Sequence, residues 1–158
     1  LAYLTIKSGV LCVGLGKVTK TQPLEMETLR RAAGVAARSL VGKSSALFAL
    51  PTNTTVAAHA VTIGVELGAY SFTEFKTKNE KSSETLKQAN ILVHDLFVNK
   101  ASFQEAQIIA ASIKNVRNLV NTPPSHMYPE TFASYVKKTF KKNNISICIR
   151  FRIKQSDY

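Results

Sequence analysis

The chain is short of several things that would narrow its chemistry at once. No window holds the roughly 18 uncharged apolar residues that a membrane span needs. The N-terminus lacks the charged, then apolar, then small-residue order of a secretory signal. Only two cysteines occur, Cys12 and Cys148, in apolar runs and outside any C-x-x-C or Cys/His cluster, so they read as reduced core thiols of a cytosolic protein. Acids are scarce. Ten Asp+Glu stand against 21 Lys+Arg, a net charge of +11, and no two acids fall at a convincing metal-ligand spacing. His59, His94 and His126 have no H-E-x-x-H or cysteine partner, and a G-x-S-x-G nucleophile elbow is absent. These gaps leave a non-catalytic reading of the residues taken alone.

What is present is an alternation of apolar runs and amphipathic stretches. Leu1–Lys7 alternates as a half-buried strand and ends at the Ser8-Gly9 turn. Val10–Leu15 is continuously apolar, which predicts a strand covered on both faces, as in the centre of a parallel sheet. The following Gly14-Leu15-Gly16-Lys17 fails both phosphate-loop patterns: the dinucleotide fingerprint lacks its third glycine, and Gly9 to Gly14 is followed by Leu15 rather than lysine. It reads as a strand-exit turn. Pro23, Glu25 and Glu27 open a helix that Gly42 closes, with Arg30, Arg31 and Arg38 on its solvated side. Ala46–Leu50 is a second buried run, and Thr54 or Thr55 caps a helix over Val56–Ala69, where His59 sits among alanines as a core or interface residue.

Tyr70–Lys76 alternates aromatic with polar residues and leads into a charged loop. Phe72 and Phe75 read as packing rather than a base-stacking platform. Asn90–Val98 is a third apolar run in which the adjacent His94 and Asp95 would point to opposite faces of a strand. Ser102-x-x-Glu105 reads as a capping box for a helix with Phe103, Ala106, Ile109, Ala110, Ile113, Val116 and Val120 on one side. That helix must stop at Thr122-Pro123-Pro124, because each proline lacks a donor and pushes its predecessor out of the helical region. Pro129–Asn143 restarts the helical period and carries Lys137, Lys138, Lys141 and Lys142 at its end. These are candidate anion contacts, set against a simple match to the helix dipole. Ile145–Ile153 alternates as a strand with one polar face. The sum is an α/β fold with a largely parallel sheet, and the last helix and strand read as the start of a second α/β unit.

The junction also carries a resemblance. Val116–Pro129, V-R-N-L-V-N-T-P-P-S-H-M-Y-P, resembles the interdomain segment of the leucyl aminopeptidases, the cytosol aminopeptidase family. Its motif residues are Arg117, Asn121, Thr122, Pro123 and Pro124. Upstream, V-L-C-V-G-L-G-K at Val10–Lys17, the alanine-rich helix at Leu29–Leu40 and the aromatic segment at Gly64–Lys78 are similar to the family in the same order. The resemblance implies a macro-domain-like layered sheet with flanking helices over residues 1–100, a connector helix over 101–122 and the beginning of a catalytic domain over 123–158. It further implies a cytoplasmic, typically hexameric exopeptidase that removes N-terminal residues from peptides with two divalent metals, zinc, manganese or magnesium. The family's metal ligands lie in the C-terminal domain, so no catalytic or metal residue is carried over to this chain.

The chain starts with Leu1 rather than Met, and the reading expects the first strands of the domain to lie before it. Ser125-His126 replaces a polar pair common after the double proline, and Cys148–Tyr158 departs from the family pattern, which truncation, a disrupted reading frame or divergence would each explain. Two other classes stand beside the assembly-and-regulation reading. One is a DNA-binding module, motivated by the charge and by an occasional second role in the family. The other is an ADP-ribose or nucleotide binder, by analogy of fold alone.

Overall fold

Two helices whose buried residues are mostly small form the core of residues 1–117. In the computed structural model, which describes residues 4–7, 9–17, 24–75, 85–93, 100–141 and 145–150, α1 runs Met26–Ser39 and α2 runs Thr55–Gly68. Buried Ala32, Ala33, Ala36 and Ala37 of α1 face Ala57, Val61 and Val65 of α2, with Leu29 and Phe48 filling the space that alanines leave. Glycine makes the approach possible at two points. A Cβ built on Gly64 would collide with the backbone carbonyl of Arg30, and one on Gly68 with that of Gly34. No side chain other than hydrogen fits a backbone-to-backbone contact of this kind.

Local signals set the ends of both helices. Thr54 is the N-cap of α2, its hydroxyl accepting from the Ala57 N–H at 3.2 Å, which settles the choice between Thr54 and Thr55. Gly42, at φ +83°, turns the chain after α1. Glu27 in the first turn of α1 accepts from Arg30 at 2.6 and 2.7 Å and from Arg31 at 2.7 Å. Hydrogen bonds from Arg30 and then Arg31 hold its carboxyl down at about 2, well below its ordinary 4.5, and the same contact raises the Arg30 guanidinium.

The strands differ from the expected parallel sheet. β1 (Leu4–Lys7) pairs antiparallel with β2 (Val10–Val13), Leu4 opposite Val13 and Lys7 opposite Val10. β3 (Ser45–Phe48) pairs parallel with β4 (Gln88–Ile91), Ser45 opposite Gln88. The ladder continues through Leu92 N–H to the Phe48 carbonyl, and the fully buried Thr52 hydroxyl donates to the Leu92 carbonyl at 2.7 Å. Neither apolar run is covered on both faces. Val10 is 60% exposed and Leu47 64%, while Leu11, Val13 and Ala46 pack inward. One face of each strand stays open, so its apolar continuity overstates its burial.

Both cysteines are exposed, correcting the expectation of core thiols. Cys12 occupies an outward position of β2, and Cys148 lies in the irregular segment 145–150. That segment is not a strand as far as Arg150, although Ile145–Ile153 alternates. Its Ile145 N–H returns to the Phe140 carbonyl at 3.3 Å, and an extended segment without a paired neighbour has no ladder to hold it. The His94-Asp95 pair lies outside the described residues, as do Lys76 and Lys78. Phe72 and Phe75 pack on each other with centroids 5.9 Å apart.

The chain divides into two compact units, Leu1–Arg117 and Asn118–Tyr158. Helix α3, Lys100–Asn121, begins in the first. Ser102 falls within its first turn rather than before it, so the predicted capping box does not start the helix. The predicted apolar face is also split. Ala106 and Ala110 are fully buried, whereas Ile109, Ile113, Val116 and Val120 form a separate stripe that is open, Val120 at 78% exposure. In the second unit α4, Pro129–Lys141, starts on Pro129 as the sequence predicts, and none of its residues is buried.

Candidate functional site

The proline junction forms from contacts a few residues long. After α3 ends at Asn121, Thr122 returns both its N–H, at 3.0 Å, and its hydroxyl, at 2.7 Å, to the Asn118 carbonyl. The Pro123 carbonyl then accepts from the N–H groups of His126 and Met127 at 2.9 and 3.0 Å. A proline cannot donate, but its carbonyl can close a turn, and here it closes two. The Thr131 hydroxyl accepts from the Tyr128 N–H at 2.9 Å and lies 2.8 and 3.1 Å from the carbonyls of Tyr128 and His126. It ties the turn to the first turn of α4. The Ser125 hydroxyl sits 3.0 Å from His126 Nδ1. Both are exposed and line neither of the cavities described below, so the contact orders a turn rather than building a nucleophile site.

Of the motif residues, Thr122 and Pro123 thus do structural work within the second unit, with Asn121 and Pro124 flanking them. Arg117 belongs to the first unit. Its guanidinium donates to the Leu67 carbonyl at 3.3 Å and lies 5.4 Å from the centroid of the Tyr70 ring. Three residues earlier on α3, Lys114 forms an ion pair with Glu66. Sequence reasoning singled out Arg117 but missed Lys114, Glu66 and Tyr70. The available signal was the spacing Phe103, Ala106, Ala110, Lys114, Arg117, one continuous helical face that ends in two cations.

The lysine cluster is only partly gathered. Lys137 and Lys141, one turn apart, line an open cavity of about 470 Å³ with Ile145, Ser146 and Ile147. Lys138 is exposed on another side, and Lys142 lies outside the described residues. A second cavity, about 300 Å³, lies in the first unit between α2, β4 and α3, walled by Val65, Ile91 and Phe103 and edged by Glu66, Asn90 and Gln107. Among the described residues no group of three or more His, Cys, Asp or Glu side chains converges where a metal ion could be held, and no helix is long and apolar enough to cross a membrane.

A mixed α/β unit of this kind is shared with known proteins. Residues 6–79 match the profile of the cytosol aminopeptidase family, N-terminal domain. A "Probable cytosol aminopeptidase" of Streptomyces griseus is 35% identical over 153 residues, covering 87% of this chain and 30% of that protein. Another with the same description, from Nocardia farcinica, is 41% identical over 132 residues, covering 80% of this chain and 25% of that protein. The chain belongs to the cytosol aminopeptidase family and carries its N-terminal domain. It spans less than a third of the length of these relatives. Its fold is also that of part of the bottromycin maturation enzyme BotP, solved in complex with Mn, at a TM-score of 0.71 and 21% identity over 90% of this chain and 30% of that one.

Proposed function

We propose that this chain is the N-terminal part of a two-metal leucyl aminopeptidase that releases N-terminal amino acids from peptides, and that this part serves assembly and regulation and is inactive alone. The carrying observation is the extent of the family likeness. A match over 87% of a 158-residue chain cannot end before Pro123-Pro124, so it crosses the junction as well as the first unit. In this reading residues 1–100 are the N-terminal domain, 101–122 the connector helix and 123–158 the opening of the catalytic domain, with Arg117, Asn121, Thr122, Pro123 and Pro124 as the interdomain motif. The parent enzyme is cytoplasmic and hexameric.

Two manganese or zinc ions bound to the parent enzyme would activate a water and polarise the scissile carbonyl. In the family that this chain resembles the residues holding such ions belong to the C-terminal domain, so this reading carries no metal ligand over to the chain. The DNA-binding reading draws on the +11 charge and on an occasional second role in the family; of the lysines behind it, Lys137 and Lys141 share one open cavity and Lys138 does not join them. Incubating the chain with Leu-p-nitroanilide and manganese or zinc is expected to give no hydrolysis above buffer. Turnover that survives repurification would overturn the proposal.

A further inference from the structure

The two residues of α3 that are buried are both alanines, Ala106 and Ala110, and neither has exposed surface. Alanines four residues apart are a smooth and repeating surface. A one-turn slide, about 5.4 Å, would put one alanine into the place of the other, so this pair by itself distinguishes the two positions poorly. Something less repetitive has to choose between the two positions.

We propose that Arg117 is the positioning residue that fixes the register of α3 on α2. Leu67 is the penultimate residue of α2, so its carbonyl is one of those left without a partner inside the helix, at the negative end of the helix dipole. Arg117 brings a cation and a donor to that carbonyl and lays the guanidinium over the neighbouring Tyr70 ring. Lys114 grips Glu66, the residue preceding Leu67. Consecutive positions of α2 therefore hold two cations three apart on α3. A one-turn slide would present Ile113 to Leu67 and Tyr70 in place of Arg117, and Ala110 to Glu66 in place of Lys114. Each partner would then lose its cation at once. The Arg117 latch thus fixes α3, up to Arg117, within the first unit, and it does not rest on the aminopeptidase reading.

NMR of the 158-residue chain tests this without any activity measurement. In the wild type the Arg117 side-chain protons are expected upfield, shifted by the Tyr70 ring, and Tyr70→Leu should return them to ordinary values. Arg117→Met should speed amide exchange over residues 112–117 about tenfold, through loss of the charged hydrogen bond and the ring contact. Arg117→Lys, which restores the cation but not the flat stack, should recover part of that protection. Val61 reports the α1–α2 core and should be unchanged. If exchange rises equally at Val61, the variant has unfolded globally and the ring-shift comparison decides. Arg117 protons at ordinary positions in the wild type, or an acceleration below about threefold with Val61 unchanged, would overturn the proposal.

Discussion

Between Met26 and Gly68 the first unit buries five residues of α1 and eight of α2, whereas α4 in the second unit buries none of its thirteen. Yet α4 is as clearly amphipathic as α1. Phe132, Val136 and Phe140 line one side, and the lysines lie away from it, Lys137 and Lys141 one turn apart and Lys138 on another side. The contrast separates two sources of helical structure. The shapes of α1 and α2 come from each other, through glycines that admit no side chain. That of α4 comes from its own beginning, where Pro129 presets the first turn and the Thr131 hydroxyl binds it to Tyr128.

The hardest blow to that contrast should be Gly64→Val. Its side chain meets the Arg30 backbone, which cannot rotate away, so a loss of about 3 kcal/mol or more is expected, measured as a fall in the thermal midpoint of at least about 10 °C. Next, Phe48→Ala removes a side chain that is 4% exposed and should cost about 3 kcal/mol, while Phe132→Ala in α4, 47% exposed, should shift the same transition by less than about 0.5 kcal/mol. Equal losses in urea titrations of the two variants would mean that α4 draws on packing after all. Thr54→Ala removes the one side-chain cap on α2 and should cost about 1 kcal/mol by the same titration.

The smallest effect concerns acid. Glu27 titrates at about 2 when folded and near its ordinary 4.5 when unfolded, so its contribution is present above 4.5 and fades as pH falls toward 2. Glu27→Gln should lower stability slightly at every pH above about 4.5, neutral pH included, and the difference should shrink away as pH falls toward 2; it stays small because the carboxylate is solvent-exposed and screened. A change confined to pH 6–8 would contradict the Arg30 and Arg31 contacts as its cause.

The elements that sequence made legible are those with local punctuation. Thr54 begins α2, Gly42 follows α1, Pro123 ends α3 and Pro129 begins α4, each through the chemistry of one or two residues. Burial was less legible. Val10–Val13 and Ser45–Phe48 are apolar enough for a doubly covered strand, but only their partners could show that one face stays open. In α3 the period correctly gave a helix yet merged two stripes, because Ala110 and Ile113 are equally apolar on paper while Ala110 is fully buried and Ile113 is partly exposed. The candidate site divides the same way. Arg117 stood out through its motif, but Glu66 and Leu67 lie 48 and 50 residues from the cations they meet, a distance no local pattern spans.

The parallel pairing of β3 with β4 has a consequence in time. Ser45 meets Gln88, so the β3 edge waits for about 40 further residues to be synthesised before its partner exists. At roughly 5–20 residues per second that wait lasts about 2–8 s. During it Ala46, Leu47 and Phe48 present an apolar edge with open hydrogen-bonding groups, the kind of surface that recruits other chains. The α1–α2 contact, whose residues are all synthesised before β4, can cover one side of that edge early, which makes the alanine and glycine seam a guard for the nascent strand as well as the core of the finished unit.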